Sequence, residues 1–323
     1  MTNLGRDVVI IGGGITGISV AYYLSLSGIR TLVIEKDSLG SHASGSAYGS
    51  LAAYSGSAVP KHVQSICTEA KRVHEQLADV LPRETKINYH YRIRPTLSVA
   101  FTQEEADSAK KSLALHKDDQ DYSAEWINRA EALSIEPRLA PSIVGGLHVE
   151  NEADLEPYKF VQAMSKAAKQ LGAEVKQGHV TGLQTNASRV TGVYLKNYTI
   201  SCGQVVIATG PWAYETSQWL GLDLGIRPLK GQILRLQDPS PPINCILNSG
   251  GNYVTSKPDG LLWAGTTEEN AGFDCSTTQK AKYEIQTNLY KMLPSLTGSP
   301  IIHQSACLRP MSADGIPLVG NLP

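Results

Sequence analysis

The sequence predicts an α/β protein in which a parallel-sheet domain is interleaved with an α+β domain built on a mostly antiparallel sheet. A β-branched run, a glycine-rich turn and an apolar helix open the chain, as is typical of a β-α-β unit. Short strands alternate with charged helices over residues 87–150, and the first pattern then returns. Because the two patterns alternate, neither predicted domain is continuous in sequence.

The opening unit is a strand, a turn, a helix and a second strand. Residues 7–11 are apolar and β-branched, as expected of a strand buried on both faces. Residues 18–26 carry apolar side chains at helical spacing, and Gly28 ends the helix. A second buried strand, residues 31–34, ends at Glu35.

The remaining elements follow from apolar periodicity and turn residues. Helices are predicted at residues 62–81, 104–115, 129–134, 158–171 and 280–292. Strands are predicted at residues 93–101 and 147–149, from Val175, as a hairpin of residues 190–195 and 199–202, and as a buried strand at 204–208. The small-residue segment 38–57 is expected to be a packed loop.

Composition excludes several classes of protein. With 29 basic and 30 acidic residues, the chain has no basic excess for binding nucleic-acid phosphates. The five cysteines form no CxxC pair, so we expect no metal site and no redox dithiol. The apolar stretch from Asp7 to Leu26 contains several glycines and begins with an acidic residue where a signal peptide has a positive region, so it predicts neither a signal peptide nor a membrane span. We therefore expect a soluble, cytoplasmic protein.

The glycine turn predicts a dinucleotide site. In Gly12-x-Gly14-x-x-Gly17, the first glycine permits the tight turn, the second admits a pyrophosphate, and the third lets helix and strand pack closely. The helix dipole then points at the phosphates. Glu35 follows Gly17 by 18 residues, where a carboxylate can accept hydrogen bonds from ribose hydroxyls. The alternative for Glu35 is a solvated charge at a strand end.

A second run favours FAD over NAD. Residues 205–208 form an apolar run that leads into Thr209, Gly210, Pro211 and Trp212, and small residues there bring bare backbone close to a cofactor. Read alone, this could be an ordinary strand-to-turn transition. Combined with the glycine turn, it resembles the paired signature of FAD-binding Rossmann-type proteins.

Taken together, these motifs resemble the D-amino-acid oxidase superfamily, which includes glycine oxidases, sarcosine oxidases and D-amino-acid dehydrogenases. The resemblance runs nearly end to end. It is carried by Ala43-Ser44-Gly45, Gly145-Gly146-Leu147, Leu155-Glu156-Pro157, Pro228-Leu229-Lys230-Gly231-Gln232, Tyr253-Val254, Asp259-Gly260, Gly265-Thr266, Leu308-Arg309-Pro310 and Asp314-Gly315-x-Pro317-x-x-Gly320.

The resemblance implies a domain division and a set of FAD-binding residues. The FAD-binding domain is expected at residues 1–86, 151–222 and 304–323, and the substrate-binding domain at 87–150 and 223–303. The residues expected to bind FAD are Gly12, Gly14, Ile15, Thr16, Gly17, Glu35, Lys36, Ala43, Ser44, Tyr48, Gly49, Ser50, Leu51, Val180, Ala208, Thr209, Gly210 and Trp212.

The resemblance also implies two substrate-binding residues. Arg309 is expected to hold a substrate carboxylate through two parallel hydrogen bonds, and the Tyr253 hydroxyl to help. The alternatives are a structural ion pair for Arg309, for instance with Asp314, and cross-strand packing for Tyr253. Histidines such as His42 and His303 are interpreted as surface or packing residues.

The activity implied is oxidation of the CH–NH bond of a small amino acid or amine. Hydride passes to flavin N5, the imine hydrolyses, and oxygen or another acceptor takes the electrons. Trp263 lies near the position where sarcosine oxidases carry an oxygen-activating lysine, so a D-amino-acid dehydrogenase with a non-oxygen acceptor is the alternative. Residues 43–45 and 319–323 also resemble tRNA wobble-uridine modifying oxidases, an alternative that the missing basic surface and methyltransferase domain disfavour. Oligomerisation stays open.

The resemblance further implies a strand, a turn and a helix after the Gly320 signature, with the helix N-terminus facing the flavin. Since this sequence ends at Pro323, we expect weak FAD retention and low turnover from residues 1–323 alone. A flavin-binding protein with little activity is therefore a further alternative.

Overall fold

The computed structural model describes residues 6–52, 61–115, 123–187 and 189–322, which form three β-sheets and the helices around them. The strands are β1 Arg6–Ile11, β2 Thr31–Glu35, β3 Ser50–Leu51, β4 Arg92–Ile93, β5 Thr96–Ala100, β6 Ala124–Asn128, β7 Gly145–Val149, β8 Ala153–Asp154, β9 Glu174–Gln177, β10 Val180–Asn186, β11 Arg189–Leu195, β12 Tyr198–Ile207, β13 Arg227–Leu236, β14 Ile246–Ser249, β15 Asn252–Ser256, β16 Leu262–Gly265 and β17 Ile301–Met311. The α-helices are α1 Ile15–Leu26, α2 Ala43–Ser46, α3 Lys61–Thr85, α4 Gln103–Leu115, α5 Arg129–Ile135, α6 Pro157–Gln170, α7 Ala213–Gln218 and α8 Gln279–Met292.

The six-stranded sheet contains the opening β-α-β unit. Its order is β10-β11-β12-β1-β2-β9, and β12, β1, β2 and β9 are parallel to their neighbours along that stretch. Helices α1 and α6 pack on one face, where Ile10, Ile18 and Met164 are fully buried. The carboxyl ends of β1, β2 and β12 therefore meet at one edge of the sheet, as the sequence predicts.

Strand β12 differs from the prediction in two ways. The predicted hairpin strand 199–202 and the predicted buried strand 204–208 are one continuous strand, which pairs with β11 along its first half and with β1 along its second. Residues 205–208 are half-buried rather than buried. The reason is that Ile207 and Ala208 line a cleft at the sheet edge.

The eight-stranded sheet has the order β17-β13-β16-β15-β14-β5-β7-β6. The β14–β5 pair is parallel and the other neighbouring pairs are antiparallel. One face packs on α8, where Leu234, Val254 and Ile285 form part of a continuous apolar core. The predicted fold class, an α/β protein with an interleaved, mostly antiparallel sheet, is confirmed.

Strand pairing differs from the predicted division at the end of the chain. Residues 304–311 belong to β17, which pairs with β13 in the eight-stranded sheet, whereas the sequence assigns 304–323 to the FAD-binding domain. The pairing runs from Arg227 opposite Met311 to Leu236 opposite Ile301, and this length of pairing keeps residues 304–311 in the eight-stranded sheet. The boundaries of the two domains stay a prediction.

The segment 38–57, expected to be a loop, contains α2 and β3, and its residues 53–57 lie outside the described residues. Strand β3 joins β8 and β4 in a small third sheet. Its strands lie in the sequence where the chain passes from one of the larger sheets to the other. None of the helices in the described ranges is long and apolar enough to cross a membrane.

A buried charge cluster fixes this small sheet to the eight-stranded one. Asp154 on β8 is 1% exposed and accepts hydrogen bonds from Arg92, at 2.6 and 3.0 Å, and from Arg94, at 3.2 Å. The Lys257 ammonium lies 3.6 Å from the same carboxylate and donates to the carbonyls of Tyr48 and Leu155 at 2.8 Å each. Burial lowers the pKa of Lys257, and the carboxylates of Asp154 and Glu156 oppose that effect.

Asp154→Asn is expected to lower the free energy of unfolding. The change leaves Arg94 and Lys257, with side chains 4% and 1% exposed, without their shared counter-charge. Breaking a buried ion pair by removing one partner costs about 3–5 kcal/mol. Urea unfolding followed by circular dichroism measures the loss, with Asp79→Asn, which removes an exposed partner of Arg83, as the control. Equal unfolding midpoints for the two variants would contradict the assignment.

Candidate active site

The glycine turn adopts the conformation that its sequence predicts. Gly12 has a φ of 109°, and a Cβ there would lie 2.3 Å from the Ala208 carbonyl oxygen. A Cβ on Gly17 would lie 2.0 Å from the Gly12 carbonyl oxygen. Any larger residue would therefore separate β1 from β12 or α1 from the turn. Both glycines act through close backbone packing.

The N-terminus of α1 faces the sheet edge and is capped from a distant segment. The Ile15 amide donates to Ser44 Oγ at 3.0 Å, and a Cβ on Gly14 would lie 3.1 Å from the same oxygen. Other first-turn amides of a helix have no intrahelical partner, and they carry the positive end of the helix dipole. The predicted residues Gly14, Ile15 and Ser44 thus come together at a site suited to an anion.

Glu35, the acidic residue predicted at the end of β2, is buried and bonded to backbone. Its Oε2 accepts from the Gly13 amide at 2.6 Å, and its Oε1 accepts from the Asp37 amide at 2.9 Å. Glu35 is therefore not a solvated charge. Each carboxylate oxygen has a further lone pair, which leaves capacity for ribose hydroxyls.

A cleft of about 640 Å³ opens at the edge where these elements meet. Thirteen of the predicted FAD-binding residues line it: Gly12, Gly14, Ile15, Thr16, Glu35, Lys36, Ala43, Ser44, Val180, Ala208, Thr209, Gly210 and Trp212. Segments from separate parts of the chain thus form one concave surface, as ligand-binding sites at this edge of parallel sheets do.

Five of the predicted FAD-binding residues do not line the cleft. Gly17 packs beneath the turn, as described above. Tyr48, Gly49, Ser50 and Leu51 lie at and before β3, where Gly49 bonds to Leu155 and residues 50–51 pair with β8. The Tyr48 carbonyl accepts from Lys257, so this segment lies against the eight-stranded sheet instead. A cofactor-binding role for these residues stays a prediction.

Several cleft residues were not expected from the sequence. His42, interpreted as a surface or packing residue, lines the cleft, bonds to Asp37 at 2.7 Å and stands edge-on to the Trp212 ring. The Lys36 ammonium lies 3.6 Å from the centre of the same ring. The only signal for His42 is its position directly before Ala43-Ser44, because its residue type alone indicates nothing. In addition, Pro310, Met311 and residues 315–320 form one wall.

We name one face of the eight-stranded sheet, which carries Arg309, Gly231, Gly265 and Tyr253, the substrate face, after the role that the sequence predicts for Arg309 and Tyr253. Strand register places them together: Arg309 is opposite Leu229 on β13, Gly265 is opposite Ile233, and Tyr253 is opposite Gly265. Arg309 precedes Pro310 and Met311 of the cleft wall. The substrate face therefore adjoins the cleft.

Arg309 lies flat against the sheet because position 231 is glycine. A Cβ on Gly231 would lie 2.6 Å from Arg309 Nη2. Nη2 donates to Thr266 Oγ1 at 2.8 Å, and Nη1 donates to Glu268 Oε1 at 2.8 Å. The ion-pair partner is thus Glu268, on the loop after β16, rather than Asp314.

Tyr253 packs across the strands and also presents an unpartnered hydroxyl. Its ring stacks on Tyr48 with centroids 3.7 Å apart, and its hydroxyl, within the described part of the chain, has no hydrogen-bond partner. Burial raises the pKa of Tyr253 well above its usual value, Tyr48 adds to the rise, and the charges of Arg309 and Arg235 oppose it. The phenol is therefore protonated at neutral pH and available as a donor.

The cleft residues fit the adenine-dinucleotide part of FAD. The missing side chains of Gly12 and Gly14 leave room for a pyrophosphate at the start of α1, and Glu35 stands at the end of β2, where a ribose would lie. No group of three or more His, Cys, Asp or Glu in the described ranges is placed to hold a metal ion.

Comparison with curated proteins finds relatives along almost the whole chain. A bifunctional ThiO/ThiG protein from Nostoc sp. is 28% identical over 321 residues, which is 98% of this chain and 48% of the relative. The chain thus spans about half the length of that protein. A glycine oxidase from Bacillus licheniformis is 26% identical, and the match covers 98% of this chain and 84% of the oxidase.

Comparisons with solved structures and with family models also find relatives along almost the whole chain. The crystal structure of glycine oxidase from Geobacillus kaustophilus superposes with a TM-score of 0.93 at 25% identity, covering 98% of this chain and 86% of that one. The model of the FAD dependent oxidoreductase family matches residues 7–323. The predicted superfamily and the predicted cofactor are confirmed. The chain belongs to the family of FAD dependent oxidoreductases.

Proposed function

We propose that the protein uses FAD to oxidise the CH–NH bond of a small amino acid or secondary amine that carries a carboxylate. The observation that carries the proposal is the substrate face, where the Arg309 guanidinium and the unpartnered Tyr253 hydroxyl lie on one surface next to the cleft. The likeness to proteins named glycine oxidase supports the same substrate class.

The cleft residues hold the cofactor in this proposal. The first-turn amides of α1 bind the pyrophosphate, Glu35 accepts from ribose hydroxyls, and Trp212 with Lys36 forms the wall beside them. FAD, when bound, supplies the acceptor for the hydride of the substrate α-carbon, which is the chemistry that the protein's own side chains cannot perform. The resulting imine then hydrolyses in water.

The substrate face orients the amine. Arg309 binds the carboxylate by charge-assisted hydrogen bonds, and the protonated Tyr253 donates a further one. The stacked rings of Tyr48 and Tyr253 exclude water from one side of the site. Fixing the carboxylate in this way fixes the α-carbon and removes the entropy cost of aligning it in the transition state.

The electron acceptor is settled by a product assay. Release of hydrogen peroxide during turnover supports an oxidase. Flavin reduction by substrate without peroxide release supports a dehydrogenase that passes electrons to another acceptor. Failure of every amine in a panel of glycine, sarcosine, D-amino acids and carboxylate-free amines to reduce the flavin would contradict the proposed function.

Gly14→Val is expected to abolish FAD retention. A β-branched side chain at this position reaches the Ser44 hydroxyl, 3.1 Å from the Cβ position, and fills the space at the start of α1. Chromatography of the cofactor released from denatured protein measures retention. Gly182→Val, in the β10–β11 hairpin with only an ordinary contact to Tyr194, is the matched control and should retain FAD. Equal FAD content in the two variants would sink the assignment.

Arg309→Ala is expected to raise KM for amino acids steeply and to leave KM for carboxylate-free amines unchanged. Loss of a charged hydrogen-bonding partner in a binding site costs about 2–5 kcal/mol, or roughly thirtyfold or more in affinity. Steady-state kinetics on the substrate panel measure the effect. Arg309→Lys keeps the charge but loses the two-pronged geometry, so it should recover only part of the affinity.

One result would contradict the carboxylate-binding role of Arg309. If carboxylate-free amines are as good substrates as glycine in the intact protein, Arg309 does not bind a carboxylate, and its role is the ion pair with Glu268 alone.

A further inference from the structure

The guanidinium on the substrate face is already engaged by groups of the protein itself. Arg309 Nη1 donates to the Glu268 carboxylate at 2.8 Å, and Nη2 donates to the Thr266 hydroxyl at 2.8 Å and to the Thr267 carbonyl at 3.4 Å. The two nitrogens that would grip a carboxylate in parallel thus have partners, one of them a carboxylate. A substrate anion has to replace Glu268 or bind beside it.

Glu268 is placed to leave without a change in the loop that carries it. The next residue, Glu269, is tied to β13, with its amide on the Lys230 carbonyl at 2.9 Å and its carbonyl on the Lys230 amide at 3.0 Å. The Glu269 carboxylate accepts from Thr267 and Gln232 at 2.6 and 2.8 Å. The backbone is thereby pinned, whereas the Glu268 side chain is 63% exposed and can rotate into water.

Arg309 itself is held more firmly. It is 36% exposed, lies against the bare backbone of Gly231, and has two bonds to the loop besides the one to Glu268. The mobile member of the pair is therefore the glutamate.

We propose that Glu268 is a specificity-determining residue, an internal carboxylate that competes with the substrate carboxylate for Arg309 and selects monoanionic over dianionic substrates. This inference rests on the carboxylate-binding role of Arg309 in the proposed function. A monoanionic amino acid exchanges one carboxylate for another at the guanidinium. A substrate with a second carboxylate nearby also meets the displaced negative charge of Glu268, and like charges in one site repel.

The test measures binding of two simple anions, acetate and malonate, by isothermal titration calorimetry on the protein as purified. The pH is chosen so that both malonate carboxyls are ionised. Glu268→Gln should bind acetate about two- to fivefold more tightly than the wild type, the size expected for removing an exposed ion-pair competitor. Malonate should gain by a larger factor, because one repulsion is removed as well.

A matched control separates this effect from the loss of any surface charge. Glu69 on α3 forms a comparable exposed pair with Arg72, at 2.5 Å and 59% exposure, outside the cleft and the substrate face. Glu69→Gln makes the same chemical change, so it should leave both affinities at their wild-type values.

The direction of the change in acetate affinity shows whether Glu268 competes with the anion for Arg309 or only holds Arg309 in place. If Glu268 only holds Arg309 in place, Glu268→Gln weakens acetate binding, and that result overturns the proposal. Unchanged affinities, equal gains for the two anions, or no measurable acetate binding to either protein overturn it as well.

A different result would contradict the carboxylate-binding role of Arg309 in the proposed function. Acetate binding that survives Arg309→Ala shows that the anion site is elsewhere, whatever Glu268→Gln does. Tighter binding to Glu268→Gln that is abolished by Arg309→Ala supports both inferences, even before a productive amine is known.

Discussion

The buried carboxylate of Asp154 is the constraint that holds the small third sheet, and with it the segment at Tyr48, against the eight-stranded sheet. It binds Arg92 and Arg94 and lies 3.6 Å from Lys257, at the end of β15. Lys257 also donates to the carbonyls of Tyr48 and Leu155. The segment at Tyr48 is thereby fixed to β15, the strand that bears Tyr253.

The same geometry explains why the substrate face is so polar in a protein with nearly balanced charge. The opposite face of the sheet carries the apolar core with α8, so side chains at alternate positions must point away from it. Those positions include Arg309, Gly231 and Tyr253, and the two glycines at 231 and 265 let the Arg309 and Tyr253 side chains lie against the backbone. The result is a polar surface that presents a guanidinium and an unpartnered phenol hydroxyl.

The sequence predicted local features well. The turn at Gly12, the helix that follows it and Glu35 are specified by residues close in sequence, because backbone conformation and helix dipole are local properties. The family resemblance added residues such as Trp212, which no local rule identifies. Element types were predicted correctly along most of the chain, whereas the continuity of β12 was not, since a single strand that pairs first with β11 and then with β1 looks like two in the sequence.

Features that depend on distant contacts were not predictable. The pairing of residues 304–311 with β13 needs the register of two long strands, and the direction taken by Tyr48–Leu51 needs the charges around Asp154. For Arg309, the alternative to substrate binding was a structural ion pair, for instance with Asp314, five residues away, because sequence proximity was the only guide to a partner. The loop after β16 instead brings Glu268 to it from 41 positions away.

That pairing changes how binding energy is distributed on the substrate face. An arginine without a partner would gain its full interaction with any anion, and so would discriminate little between them. An arginine already bonded to Glu268 and Thr266 gains only the difference between two sets of contacts. Affinity is then modest, but the difference depends on the shape and charge of the incoming anion. For a site with the proposed function, weaker and more selective binding is the more useful property, because binding energy that is equal in ground state and transition state does not raise kcat.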